Sequence, residues 1–360
     1  MVANEIDIKK ITGKNIIPII FILMTALMIP YSGFSGRVLV QEIIFRLSSN
    51  TVLVLALLIP LIAGMGVNFG LGLGVMACQI ALILVTDWHI TGILGMILAM
   101  LISTPISLLF GFFGGCILKN AKGMEMIISW VLGIFMLGVY QIIVSFGMGK
   151  VIPIGDKTIL LPRGFGIRNS IQLDGIRGSF DTLIDKLLGF RIQIAGIVIP
   201  VFTFLVVAAL CLWIWWFRRT KLGQKIRAVG KDMDAAAASG INVGRIRIIS
   251  ILISTVLAGY GYAIYIQNIG VMPVYTGANS VVLFAAAALL FGGNTADKAG
   301  LPRVIVGVVL FNLFFIVTPM AAKRILVPSE VDNFFIGFFT YLIVAVAFAI
   351  NARNNKKEKE

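Results

Sequence analysis

The side chains able to do chemistry are few, scattered and almost absent from the interiors of the long apolar runs. Asp87 and Glu125 stand at run ends, and the single histidine, His89, sits beside Asp87 and Trp88 where a run gives way to polar sequence. Cys78, Cys116 and Cys211 are isolated in apolar surroundings, without the spacing of a metal site or redox pair, and read as small hydrophobes. No nucleophile is accompanied by a base, and one histidine argues against a metal enzyme, so neither catalytic residues nor metal ligands are expected. The run interiors offer neutral hydrogen-bonding groups instead: Asn68, Gln79, Tyr140, Gln141, Asn279 and Asn312. Such groups suit a path for a neutral polar solute. A proton- or sodium-coupled carrier usually holds its ion with buried carboxylates or histidines, although backbone carbonyls are an alternative for sodium. There is no arginine ladder or carbonyl-filter signature of a channel. The Gly-Lys pairs at Gly13, Gly149 and Gly230 are followed by Asn15, Val151 and Asp232, so none completes a phosphate-binding G-x-x-x-x-G-K-[ST] loop. If ATP drives this protein, a partner subunit binds and hydrolyses it, and this chain binds no cofactor.

The elements that must position these groups are membrane helices. The residues AVILMFWYC make up 59% of 360 positions and DEKR only 13%, with mean hydropathy +1.01. Continuous apolar runs rule out the short alternating segments of a β-barrel, and the expected class is an all-α polytopic membrane protein. Ten runs reach or approach spanning length: 16–34, 51–64, 71–86, 92–118, 126–146, 192–217, 248–267, 280–293, 304–321 and 334–350. The first follows Lys9, Lys10 and Lys14 as a signal peptide would, but lacks a small-x-small cleavage site and is read as an uncleaved helix.

An even number of spans puts both termini on one side, and the basic residues at each end make that side cytoplasmic. The expected organisation is a cytoplasmic stretch 1–15, a membrane domain 16–351 and a charged cytoplasmic tail 352–360. Within the membrane domain, 147–191 lies outside and 218–247 inside. The net charge of +14 is then the mark of cytoplasmic loops at a lipid surface, with no nucleic-acid partner. Trp213, Trp215 and Trp216, just before Arg218, read as an interfacial belt.

Two stretches interrupt the helical pattern. Residues 64–74 carry glycine at Gly64, Gly66, Gly70, Gly72 and Gly74 without a charge, and 270–280 contain Gly270, Pro273 and Gly277. One follows the second run and the other the seventh, so they correspond if the chain is two five-helix halves, which an odd span number makes inverted. Broken helices at matching points of inverted repeats point to a central translocation pathway. Freed backbone groups at that depth must face protein or a wet cavity. Close helix packing through small residues is the other reading of both stretches, and the two are compatible. The pathway residues expected on this basis are Asn68, Phe69, Gln79, Asn279 and Ser280.

Between Phe217 and Ser250 lies a basic island. Asp232 and Asp234 suit the positive end of a short helix, Ala235 to Ala238 favour helix and close approach, and Gly240 is a natural terminator. A helix so short must pack on something. The candidates are a groove on a partner protein or the lipid head groups.

Gly223-x-x-x-Arg227-Ala228-Val229-Gly230, then Ala235-Ala236, Gly240-Ile241-Asn242-Val243 and Leu257-Ala258-Gly259, resemble the permease subunits of bacterial ABC importers for ribose and other simple sugars, nucleosides and branched-chain amino acids. The likeness continues more loosely through Ala285 to Gly293. It departs at 294–303, at Tyr260 and Tyr262, and in the length of 147–191. The resemblance implies a multi-pass protein of the bacterial plasma membrane that pairs with a second permease, in a homo- or heterodimer. It implies a cytoplasmic ATP-binding subunit that receives the loop helix, and an extracytoplasmic solute-binding protein that delivers a small polar solute. A simple sugar is favoured because the neutral groups suit a polyol. Nucleosides and branched-chain amino acids are the nearest alternatives, and an ion-coupled carrier a more distant one. The coupling residues implied are Gly223, Arg227, Gly230, Ala236, Ala237 and Gly240.

Overall fold

The computed structural model describes residues 16–181, 193–194, 196–294 and 299–325. The expectations placed on 1–15, on the apolar run 334–350 and on the tail 352–360 lie outside the described residues. Helices α1 Ile16–Ser32, α2 Gly36–Ile62, α3 Leu71–Asp87, α4 Gly92–Leu118 and α5 Glu125–Ile142 come first, the last continuing as a π-helical turn Ile143–Gly147. A looser region with strand β1 Ser170–Gln172 and the strands β2 Gln193–Ile194 and β3 Ile197–Val198 follows. Then come α6 Val201–Phe217, α7 Lys221–Lys231, α8 Met233–Ala238, α9 Val243–Ile269, strand β4 Val271–Pro273, α10 Gly277–Phe291 and α11 Leu301–Ile325.

Among the described residues five helical segments are long and apolar enough to cross a membrane: α2, α4, Glu125–Gly147, α9 and Leu301–Ala321. Helices α3 and α10 are apolar but shorter. Leu109, Phe112, Val131, Ile134, Leu212 and Trp216 are all exposed on α4, α5 and α6. So much outward hydrocarbon is stable only in lipid or against another membrane chain, and the protein is an all-α polytopic membrane protein.

The core is α3, buried along nearly its whole length, with α9 packed against α2, α3 and α4. Small residues set that approach. A Cβ on Gly74 would stand 2.0 Å from the Thr255 carbonyl oxygen, so α3 and α9 meet backbone to backbone.

Two ends of the bundle are distinct. At one end the α2 side chain Gln41 bonds both ways to Val198 in β3, and Asp87 at the end of α3 accepts the amides of Gly155 and Asp156. There, too, Leu173 donates to the Gly270 carbonyl at the end of α9. Thr158 hydrogen bonds hold the Asp156 carboxyl below the ordinary carboxylate range. At the other end the basic island meets the last residues of α2 and the first of α5 and α9.

The structure departs from the expected boundaries in three places. Helix α2 begins at Gly36 rather than near Thr51, because Ser35 caps it, accepting from the Val38 amide, and Glu42 and Arg46 pair one turn apart. The run beginning at 192 is not helical at its start: β2 and β3 form a two-residue ladder, and the helix starts only after Pro200. The interruption at 270–280 contains β4, which pairs antiparallel with β1, so its backbone is satisfied by the 147–181 region.

The α3–α9 contact makes a specific prediction. Gly74→Val should lower the melting midpoint in detergent, because overpacking costs about 1–3 kcal/mol. Gly138→Ala, where a Cβ would meet nothing within 4 Å, should leave it unchanged in the same fluorescence-detected size-exclusion assay.

Candidate functional site

The basic island folds into two short helices. Thr220 caps α7 by accepting the Gly223 amide at 3.2 Å, and the axis turns by 75° between α6 and α7. Gly223 is required at this corner, since a Cβ there would lie 2.1 Å from the Phe217 carbonyl oxygen. Gly223, Ile226 and Val229 are buried on one face of α7, while Lys221, Lys225 and Arg227 point outward. Burial, and secondarily the charge of Arg227, lowers the pKa of Arg218. Arg219 stacks 3.7 Å over the Trp215 ring, which is exposed with Trp216 on α6, as an interfacial anchor would be.

Asp232 caps α8, its Oδ1 accepting the Asp234 and Ala235 amides at 2.9 and 3.0 Å. The helix closes with Ile241 N–H donating to the Ala236 carbonyl and Gly240 N–H to that of Ala237, with Gly240 at φ +78. Ala236 is 4% exposed and faces this chain. Ala235, Ala237, Ala238 and Gly240 are exposed, so the outward surface of α8 excludes Ala236.

Two contacts tie the island to the bundle. A Cβ on Gly230 would fall 2.0 Å from the Ile62 carbonyl oxygen, and one on Gly64 would lie 2.9 Å from the Gly230 Cα. Helix α7 therefore rests, backbone on backbone, on the end of α2, where the glycine-rich interruption begins. Arg247, fully buried in α9, donates from Nη2 to Glu125 Oε1 at 2.6 Å, and its Nη1 lies 3.5 Å from the Met233 sulfur of α8.

On the far side of the first interruption, the Phe69 amide donates to Ser129 Oγ at 3.1 Å, and the Phe69 and Trp130 rings lie 5.9 Å apart. Phe69, Trp130, Gly133, Ala278, Asn279 and Val282 line a cleft between α3, α5 and α10 whose free volume is about 20 Å³. Ligand pockets run from about 300 Å³ upward, so the cleft is closed and a solute needs its walls to part. A larger cavity of about 280 Å³ lies on another face of α10, lined by Glu42, Asn50, Tyr265, Phe284, Phe311 and Asn312. There the Asn50 amide donates to Asn312 Oδ1 at 2.9 Å.

Of the expected pathway residues the structure brings Phe69 and Asn279 together in the cleft. Asn68 is buried, its Oδ1 accepting the Gly70 amide at 2.9 Å. Gln79 is buried between the two interruptions, donating to the Tyr262 hydroxyl and the Pro273 carbonyl. Ser280 is exposed and bonds back to the Thr276 carbonyl. Sequence reasoning missed Trp130, which sits in an unbroken apolar run, and the Arg247–Glu125 pair, whose members are 122 positions apart.

The described residues form a membrane bundle with a narrow cleft and an outward-facing basic helical island, and the family comparison supplies the class, a transport permease rather than an enzyme. Residues 39–344 match the family described as branched-chain amino acid transport system / permease component, and the chain belongs to that family. It is 32% identical over 155 residues to the nucleoside ABC transporter permease protein NupC of Lactococcus lactis, covering 42% of this chain and 45% of that one. It is 31% identical over 166 residues to the xylose transport system permease protein XylH of Haemophilus influenzae, covering 45% and 41%. The guanosine ABC transporter permease protein NupQ of Bacillus subtilis is 34% identical over 89 residues, covering 24% and 28%. The chain thus spans less than half the length of the curated relatives it matches. No solved structure is significantly similar.

The Gly64–Gly230 contact yields a direct test. Gly230→Ala should push α7 off α2 and speed amide hydrogen exchange across residues 62–70 by about 10-fold or more. Gly244→Ala, whose Cβ would find only ordinary contacts, should leave those amides unchanged.

Proposed function

We propose that this chain is the membrane subunit of an ATP-driven ABC importer in the bacterial plasma membrane, moving a small polar solute inward. The complete fold has ten transmembrane helices in two inverted five-helix halves, with both termini and the 218–247 island cytoplasmic and 147–191 outside. A second permease pairs with it, a cytoplasmic ATP-binding subunit receives α8, and an extracytoplasmic binding protein delivers the solute.

One observation carries this reading: α7 and α8 present Arg227, Ala237 and Gly240 outward while Gly230 rests on the end of α2, where the interruption leading to the closed cleft begins. A partner that moves the island thereby acts on the cleft. Gly223 and Ala236 serve from within, one by turning the chain into α7 and the other by seating α8.

The solute is a simple sugar or a sugar-bearing nucleoside. Asn279 at the rim supports hydrogen bonding to a polyol. The aromatic walls Phe69 and Trp130 favour the nucleoside as a second reading, since a planar base would stack on them. The relatives named for nucleosides, guanosine and xylose support both, because xylose is a pentose and a nucleoside carries one.

Ala237→Trp and Gly240→Pro should each reduce uptake about 5- to 150-fold, the range of typical coupling energies, while leaving membrane insertion intact. Normal uptake by both variants would refute the docking role of α8. Competition of labelled uptake by xylose, ribose and guanosine in cells identifies the solute class. Uptake that follows an ion gradient without any ATPase partner would point instead to a secondary carrier.

A further inference from the structure

Helix α5 is gripped at two points on one face, by two different parts of the protein. Glu125, in its first turn, holds the buried Arg247 of α9, which also touches Met233, the first residue of α8. Ser129, one turn further on, accepts the amide of Phe69 from the first interruption at 3.1 Å while donating to the Met126 carbonyl. The next residue, Trp130, is a wall of the cleft, followed by Gly133 and Ile134 on the same lining. Near its other end α5 is tied again, where Gln141 donates to the Tyr275 carbonyl. It packs sparingly on α3 and α4, and Ile127, Val131 and Phe135 are exposed along its outer side.

The chemistry of the first grip is costly for a purely structural contact. Arg247 is fully buried, its Nε has no hydrogen-bond partner among the described residues, and Glu125 is only 7% exposed. Well-packed apolar residues of similar size often stabilise as well as or better than a buried ion pair, whereas removing one partner is strongly destabilising. A directional, all-or-none contact is what a two-position element needs.

We propose that α5 is the transmission rod between the coupling helix and the cleft: displacement of α8 moves Arg247 and Glu125, and α5 carries that movement through Ser129 to the Phe69 backbone, whose ring lies against Trp130 in the cleft wall. Arg247, Glu125 and Ser129 are positioning residues; they touch no solute. The proposal rests on the importer reading above, and it differs from the Gly230 contact in acting on the other end of the same interruption.

The test uses the transporter assembled in nanodiscs from separately made subunits, this chain alone carrying 5-fluorotryptophan and having Trp88, Trp213, Trp215 and Trp216 replaced by Phe, so that Trp130 bears the only fluorine. ATP should shift the Trp130 fluorine resonance in this parent. Glu125→Gln and Ser129→Ala should each diminish that shift about 5-fold or more while the complex still hydrolyses ATP. The double variant should be no worse than the poorer single variant, since both lie on one path. Exchanging the charges, Glu125→Arg with Arg247→Glu, should restore part of the shift, which a mere loss of packing would not allow. A full shift in either single variant, or strictly additive losses, overturns the proposal. Ser129→Ala removes a single hydroxyl and keeps the test decisive if the Arg247 variants fail to fold. Uptake that is independent of ATP would sink the importer reading and this rod with it. ATP-driven uptake with an unaltered Trp130 response in both variants sinks the rod alone.

Discussion

A helix that stops inside a membrane leaves backbone groups that must find partners within the protein, because lipid offers none. Most of the central architecture follows from how the two interruptions meet that requirement. In the first, the Met65 amide returns to the Pro60 carbonyl, the Phe69 amide to Ser129 and the Gly70 amide to the Asn68 side chain. In the second, β4 borrows a ladder from β1, Val274 donates to the Asn169 carbonyl, and Gln79 and Gln141 donate to the carbonyls of Pro273 and Tyr275. The two interruptions thereby share α5 as a neighbour. The first is tied to α5, while the second is tied to α3, α5 and the β1 region. The cleft between α3, α5 and α10 is the place where those ties converge.

This arrangement explains why the basic island sits where it does. Two of its attachments to the bundle fall on either side of the first interruption: Gly230 on Gly64 before it, and Arg247 through Glu125 and Ser129 on Phe69 after it. The island has almost no hydrophobic core of its own. Ile226, Val229 and Ala236 are its buried apolar contacts, and a six-residue helix has no independent stability in water. It holds its shape by caps at Thr220, Asp232 and Gly240 and by leaning on α2 and α9.

Much of this was legible in the residues, and the misses have physical causes. Apolar runs located α1, α3 and α4 closely, because length and hydropathy dominate where lipid or core surrounds the helix. The first half of α2 was hidden by Arg37, Gln41, Glu42 and Arg46, which read as loop but are carried by an N-cap, an i,i+4 pair and bonds to Val198. Asp232 and Gly240 were recognisable as helix ends because capping is local. Asn68 and Gln79 stand out in sequence as polar groups at depth; in the fold Asn68 accepts the nearby Gly70 amide, while Gln79 donates to the Tyr262 hydroxyl and the Pro273 carbonyl. The partners of Gln79 are far away in sequence and only the fold brings them to it. Arg247 illustrates the same limit: in sequence it is one more basic residue of a cytoplasmic loop, and only the fold buries it against Glu125.

The most direct test is to place the photo-crosslinker p-benzoylphenylalanine at position 231, beside α8 and away from Ala237, and irradiate native membranes. Position 231 is exposed at the end of α7 and already carries a long lysine side chain, so the probe adds little bulk to the docking surface. The expected result is a single dominant adduct with an ATP-binding subunit, lost when that subunit is deleted. Adducts with lipid alone, in membranes that still take up the solute, would contradict a coupling role for the island and leave it as a surface anchor.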